Sequence, residues 1–216
     1  MRSQPAGVAE RKRQLVAGEL RDAALMLLAT RGFDAVTVDD IVAAAGMSRR
    51  TFHRYFASKE DVVVRFLADM GAGIIADLAA RPRAEPPSVA LRHALWMPLL
   101  ACTDHPDHTE RSRIVVRLIL DTPALQARWL ERQIQWRAAL ATELAGRRGV
   151  DAETHPYPRM AAAMALLAFD TVLQQWRPGD DEERRAALTD DAFAVVAPAL
   201  DAPVGPATAG KPAGGS

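Results

Sequence analysis

No stretch of this chain alternates apolar and polar residues between turn signals, as a half-buried strand would. Apolar residues instead recur at helical spacing along almost its whole length. That pattern confines the 216 residues to an all-α fold of about nine helices, and a chain of this size can bury a core without disulfide or metal staples. The first helix is expected over Glu10–Arg31, with Val16, Leu20, Ala24, Leu27 and Leu28 on one face and Gly32 ending it. Thr37 caps a short helix over Val38–Ala45, with Asp39 and Asp40 in the first turn where the helix dipole favours carboxylates. Gly46 supplies a turn, Ser48 caps a third helix reaching Phe56, and Ser58 with Asp61 caps a fourth reaching Ala80.

The segment Arg81–Pro87 holds three prolines, Pro82, Pro86 and Pro87, and marks a hinge. Beyond it, helices are expected over Ser88–Cys102, Thr109–Leu120, Pro123–Arg148, Pro156–Trp176 and Asp181–Leu200. The end of the chain, APVGPATAGKPAGGS, has no core pattern and reads as disordered. The organisation expected is therefore an N-terminal domain over 1–58, a C-terminal domain over 59–200 beginning with a linking helix at 59–80, and a tail over 201–216.

Charge refines the reading. The chain is formally neutral, but residues 1–60 hold ten Lys and Arg against seven Asp and Glu, so the first sixty residues are the positive end of the molecule. No apolar run is long enough to span a membrane and no hydrophobic leader opens the sequence, which predicts a cytoplasmic protein without a membrane partner. A lone cysteine, Cys102, is consistent with a reducing compartment.

The segment TVDDIVAAAGMSRRTFHRYFASK, Thr37–Lys59, carries the sharpest signal. It reads as a helix-turn-helix. On the third helix Arg49, Arg50, His53 and Arg54 share one face, while Phe52, Tyr55 and Phe56 share the other. Phe52 and Phe56 packed on Ile41, Val42 and Met47 would present the basic face to a major groove, where arginine can read guanine and Thr51 or His53 can meet bases or thymine methyls. Tyr55, Thr37 and Lys59 stand at helix edges suited to phosphates.

The stretch Arg21–Val63 resembles the N-terminal domain of the TetR family of bacterial transcriptional regulators. The likeness lies in Gly32-Phe33 after the first helix, the Thr-Val-Asp-Asp-Ile start, the Ala-Gly-Met-Ser turn and the Tyr-Phe-x-Ser-Lys-Glu signature. The resemblance implies a homodimer on a palindromic double-stranded DNA operator, usually a repressor, released by a small-molecule effector. It implies DNA contacts at Thr37, Ser48, Arg49, Arg50, Thr51, His53, Tyr55 and Lys59, positions that the helix geometry also favours. Pieces of Arg113–Leu200 resemble the acyl-CoA-like ligand-binding subtype of that family, which implies an apolar effector with a polar or anionic head.

In that half, Leu125, Trp129, Gln133, Trp136 and Leu140 form one stripe on a long helix, and its tryptophans can be core or can wall a pocket. Arg113 and Arg117 sit four apart in an apolar helix, so one can face inward toward a carboxylate or a ligand anion, or both can lie at the surface. Asp170, inside MALLAFDTVL, calls for a partner, an interface or a pocket, and an inward arginine is the favoured partner. The candidate effector-site residues are Trp96, Leu99, Arg113, Arg117, Leu120, Trp129, Gln133, Trp136, Met164 and Asp170. Phe193, Val196, Ala197 and Leu200 form a stripe on the last helix that needs a partner, and they are the candidate dimerisation residues.

Cys102, His105 and His108 have metal-ligand spacing, but the segment reads more simply as a polar loop without a fourth ligand, so no metal and no cofactor are expected. No phosphate-binding glycine loop, nucleophile elbow or zinc-protease motif occurs, so the chain is not expected to be an enzyme. The alternatives to a repressor are an activator or co-repressor-dependent regulator of the same fold, or a helical small-molecule-binding protein that has lost its DNA function.

Overall fold

The computed structural model describes residues 5–100, 115–176 and 180–204. Among them there are nine helical segments and no strand. These are α1 (Pro5–Arg31), α2 (Val38–Ala44), α3 (Arg49–Tyr55), α4 (Lys59–Ala80), α5 (Pro87–Leu100), α6 (115–121), α7 (Pro123–Arg148), α8 (Pro156–Gln175) and α9 (Glu182–Leu200). The sequence expectation for Thr109 and for the loop carrying Cys102, His105 and His108 falls outside the described residues, as does that for the tail from 205 onward.

The helix ends follow from local chemistry. Gly32 and Gly46 have φ of +84° and +63°, a conformation glycine adopts without cost, and they terminate α1 and turn the chain after α2. Thr37 forms a full capping box with Asp40, and Ser48 accepts the backbone N–H of Thr51 at 3.1 Å. Ser58 and Asp61 cap α4 reciprocally: the Ser58 hydroxyl accepts from the Asp61 N–H, while the Asp61 carboxylate accepts from the Ala57 N–H. Asp181 caps α9, and the His155 ring nitrogen accepts from the Tyr157 N–H at the start of α8.

The chain forms two compact units, and α4 and α7 each contribute to both. The first comprises Met1–Met70 with Leu99–Arg132, the second Gly71–Pro98 with Gln133–Ser216. In the first unit, Leu20, Ala24 and Leu28 of α1, Ile41 of α2, Phe52 of α3 and Leu67 of α4 are fully buried. Leu125 and Trp129 of α7 are buried in that unit as well. In the second unit, Ile74 and Leu78 of α4, Leu91 and Leu95 of α5, Leu140 and Leu144 of α7 and Phe169 of α8 make the core, and α8 packs along α9.

Three of the helices in the second unit end on arginines. Arg147 donates to the carbonyls of Leu78, Arg81 and Pro82 at 3.0, 3.1 and 2.7 Å, and so satisfies the C-terminus of α4 from the last turn of α7. Arg83 returns a bond to the Gly146 carbonyl at 2.9 Å. Arg148 stacks over Tyr157 and, with the tyrosine hydroxyl, serves the Leu200 carbonyl at the end of α9. Asp201, where the tail was expected to begin, caps α9 and accepts from both the N–H and the hydroxyl of Ser88.

Candidate nucleic-acid interface

The short helix α3 is fixed from below. Phe52 and Phe56 are buried with ring centroids 5.6 Å apart, together with Ile41 and Val42 of α2, and Met47 is half-buried in the turn between the helices. Burying these side chains leaves Ser48, Arg49, Arg50, His53 and Arg54 on the exposed side. A seven-residue helix is marginal by itself in water, so its orientation comes from this apolar seat and from the Ser48 cap.

The candidate residues differ in what they do before any ligand arrives. Arg49 forms a two-point ion pair with Asp39 of α2, which the spacing along either helix cannot reveal because it joins the starts of two successive helices. That bond holds the Asp39 carboxyl below its ordinary range and raises the guanidinium. Arg50, one position on, is exposed and makes no ion pair among the described residues. His53 is exposed and stands edge-on to Phe52 at 5.4 Å. The Thr51 hydroxyl pairs with that of Ser48 at 2.9 Å, and Tyr55 is half-buried.

Thr37 is exposed, and its hydroxyl donates to Asp40, whose carboxyl lies below the ordinary range because of that bond and the Thr37 N–H. Lys59 points back into the first unit. Its ammonium donates to the carbonyls of Phe33 and Val36 at 2.6 and 2.9 Å and lies 4.3 Å from the Phe33 ring centre. An ammonium has three donors, so this brace between α4 and the α1–α2 turn leaves one for a phosphate.

The residues expected to receive an effector divide between the units. In the first, Trp129 is buried, Leu120 is half-buried, and Arg117 pairs at 2.8 Å with Asp121 while half exposed, so Arg117 is a surface residue. Arg113 lies outside the described residues, as does the side chain of Leu99. In the second unit, Asp170 accepts amide N–H bonds from Gln133 at 3.2 Å and Gln174 at 2.7 Å, so α7 and α8 are tied by a carboxylate between two glutamines. Trp136 is buried, Met164 is half-buried, and Trp96 is half-buried against Trp176, a residue the sequence reading did not single out.

Of the expected dimerisation residues, Phe193 and Leu200 are buried within the unit itself, while Val196 and Ala197 are half-buried. The apolar side chains that α8 and α9 turn outward are Met160, Leu167 (65% exposed) and Val195 (81% exposed). No helix among the described residues is long and apolar enough to cross a membrane. Nor do they include a group of three or more His, Cys, Asp or Glu suited to a metal ion.

Comparison with known proteins agrees with this geometry. Residues 20–66 match the model for bacterial regulatory proteins of the tetR family, and residues 85–201 match that for the MftR C-terminal domain. The chain is 31% identical to the HTH-type transcriptional regulator TcmR of Streptomyces glaucescens, over 90% of this chain and 88% of that protein. It is 34% identical to the putative mycofactocin biosynthesis transcriptional regulator MftR of Mycobacterium tuberculosis, over 88% of this chain and 94% of that one. Among solved structures, the transcriptional regulator FadR of Bacillus subtilis in complex with stearoyl-CoA shares the fold, with a TM-score of 0.60 at 20% identity over 87% of this chain and 98% of that one. A buried apolar seat, a capped basic helix and relatives aligned along nearly the whole chain lead to one assignment: the protein is a DNA-binding, helix-turn-helix transcriptional regulator of the tetR family.

Proposed function

We propose that the protein is a homodimeric repressor on a palindromic operator, released by a small apolar effector held in the C-terminal domain. The observation that carries the DNA part is the exposed face of α3, where Arg50, His53 and Arg54 make no ion pair among the described residues while Phe52 and Phe56 fix the helix beneath them. Arg50 is the first candidate for a guanine edge. Arg49 joins it once the pair with Asp39 is exchanged for DNA, and Thr37, Tyr55 and the third donor of Lys59 take phosphates. Residues 1–58 form the DNA-binding part in this reading, and 59–200 the effector-binding and dimerisation part.

A helix of this length reads only a few base pairs, so a two-fold partner is needed to read an operator at useful affinity. The exposed apolar side chains of Met160 and Leu167 on α8 and Val195 on α9 support a partner on these helices. Effector binding acts as a population shift: it favours a state in which α4 carries the two recognition helices out of register with the half-sites. The capture of stearoyl-CoA by a structural neighbour supports an acyl effector. A differential affinity of about a hundredfold between the two states corresponds to about 2.7 kcal/mol, enough for induction.

The test begins with selection of operator fragments from genomic DNA by the purified protein, followed by release assays with stearoyl-CoA. Tight binding that stearoyl-CoA reverses supports the repressor reading. Binding that appears only when the acyl thioester is added points instead to a co-repressor-dependent regulator.

A further inference from the structure

A cavity of about 320 Å³ lies within the second unit, where the segment between α4 and α5 passes the last turn of α7 and the end of α9. Its charged lining consists of Arg83, Glu85, Arg147, Arg148 and Asp201. Both carboxylates are already engaged. Glu85 forms a two-point pair with Arg81, while Asp201 accepts from the N–H and the hydroxyl of Ser88. The next carboxylate along α4, Asp77, is taken up by His93 at 2.8 Å. With Arg81 counted, four guanidiniums stand against the two carboxylates of the lining, so two positive charges of the cluster have no lining carboxylate to match them.

The three lining arginines are held by neutral oxygens instead. Arg83 donates to the Gly146 carbonyl, Arg147 to the carbonyls of Leu78, Arg81 and Pro82, and Arg148 to the Tyr157 hydroxyl and the carbonyls of Leu200 and Ala202. A guanidinium has five N–H donors, so these bonds use one on Arg83 and three each on Arg147 and Arg148. The same bonds fix the side chains before any ligand arrives, which lowers the ordering cost of binding. Guanidinium forks match the geometry of phosphate oxygens, and the volume is at the small end of ligand pockets.

We infer that this cavity binds a phosphate-class dianion through Arg83, Arg147 and Arg148. The site draws on none of the residues assigned above to operator or effector, and it stands whether or not the effector is an acyl compound. An anion there would bridge the end of α4, through the segment carrying Arg83, to the ends of α7 and α9.

The test is isothermal titration calorimetry on the full-length protein at constant ionic strength, with inorganic pyrophosphate and ADP as separate probes, because the phosphate can belong to a free ion or to a larger molecule. Pyrophosphate is expected to fill one site per chain. Arg83→Gln, which gives up a single carbonyl bond, should weaken it about tenfold, as expected for losing a charge-assisted hydrogen bond. Arg137→Gln removes an exposed arginine of α7 outside the cavity and should leave binding unchanged. Glu85→Gln takes away a lining negative charge and should tighten binding, an opposite sign that keeps the test sharp if Arg83→Gln loses helicity. ADP bound with the same dependence on Arg83 identifies the phosphate end of a larger molecule, and binding of pyrophosphate alone identifies a free ion. No saturable binding of either probe at millimolar concentration, or equal binding by the parent and a folded Arg83→Gln, overturns the inference.

Discussion

A close contact between α4 and α7 makes a substitution with a predictable sign. Gly71 of α4 lies beneath the indole of Trp136 on α7, and a Cβ built at Gly71 would fall 1.9 Å from Nε1, 2.5 Å from Cδ1 and 2.7 Å from Cε2. Ordinary carbon contacts are about 3.5–4 Å, so Gly71→Ala forces the ring or the helix to move by roughly 1.5 Å. Trp136 is 4% exposed, so the ring is enclosed by neighbouring side chains and its displacement disturbs them. Overpacking of this kind costs about 1–3 kcal/mol, and full expulsion of the ring, at about 150–250 Å² of buried surface, would cost about 4–6 kcal/mol. The gain from replacing glycine with alanine inside a helix, about 0.5–1 kcal/mol, offsets only part of this.

Gly18→Ala is the matched control, because nothing lies within 4 Å of its Cβ position in α1. Urea unfolding followed by far-UV circular dichroism should lower the midpoint for Gly71→Ala by about 0.5–1 M, for a net loss of about 1–2 kcal/mol, and leave it unchanged or raised for Gly18→Ala. The tryptophan emission of the Gly71 variant should also shift to the red as the indole meets water. A Gly71→Ala protein as stable as the parent, with unshifted emission, would show that the Trp136 ring does not press on Gly71.

Three other outcomes follow from the interface. Thr37→Ala and Ser48→Ala each remove a helix N-cap and should each cost about 1 kcal/mol in thermal unfolding, with loss of operator affinity greater than the loss of fold. Asp39→Asn frees Arg49 from its ion pair, so binding to any duplex should tighten at low salt and the slope of log affinity against log salt should steepen by about one unit, measured by anisotropy. Asp39 and Asp40 both have carboxyls held below their ordinary range in the folded chain, Asp39 by Arg49 and Asp40 by Thr37. Their stabilising effect is therefore complete above the unfolded carboxylate range, near pH 4–5, and is lost as pH falls through the depressed folded values. Melting temperatures taken from pH 6 down to pH 3 should fall less steeply in the double Asn variant than in the parent.

Much of the architecture was legible because it is written in local chemistry. Gly32, Thr37, Gly46, Ser48 and Ser58 each terminate or cap a helix by bonds spanning only a few residues, and the structure places helix ends at all of them. Phe52 and Phe56 were assigned to the buried face from helical periodicity alone, and the basic face followed as its complement. The pairing of Arg49 with Asp39 and the turning of Lys59 onto the Phe33 and Val36 carbonyls depend on how successive helices cross, which periodicity does not encode.

The same limit applies in the C-terminal half. The stripe of Phe193 and Leu200 was visible, but whether it met its own chain or a second copy depended on the packing of α8 along α9, which buries both residues within one chain. Asp170 announced its need for a partner through its apolar surroundings, whereas its bonds to Gln133 and Gln174 became evident only once α7 and α8 were set side by side. At the end of an apolar helix a tryptophan such as Trp176 reads as ordinary core, and its edge-on packing with Trp96 depends on how α5 and α8 meet.

The most direct test of the account is fluorescence anisotropy on the selected operator at two salt concentrations, comparing the intact palindrome with a single half-site and the parent protein with Arg50→Ala. A dimeric regulator reading its operator through α3 should bind tightly and in a salt-dependent way, need both half-sites, and weaken by about 1–3 kcal/mol in Arg50→Ala without loss of helicity. Equal binding of one half-site and two, or an Arg50→Ala protein that binds the operator as the parent does, would contradict it.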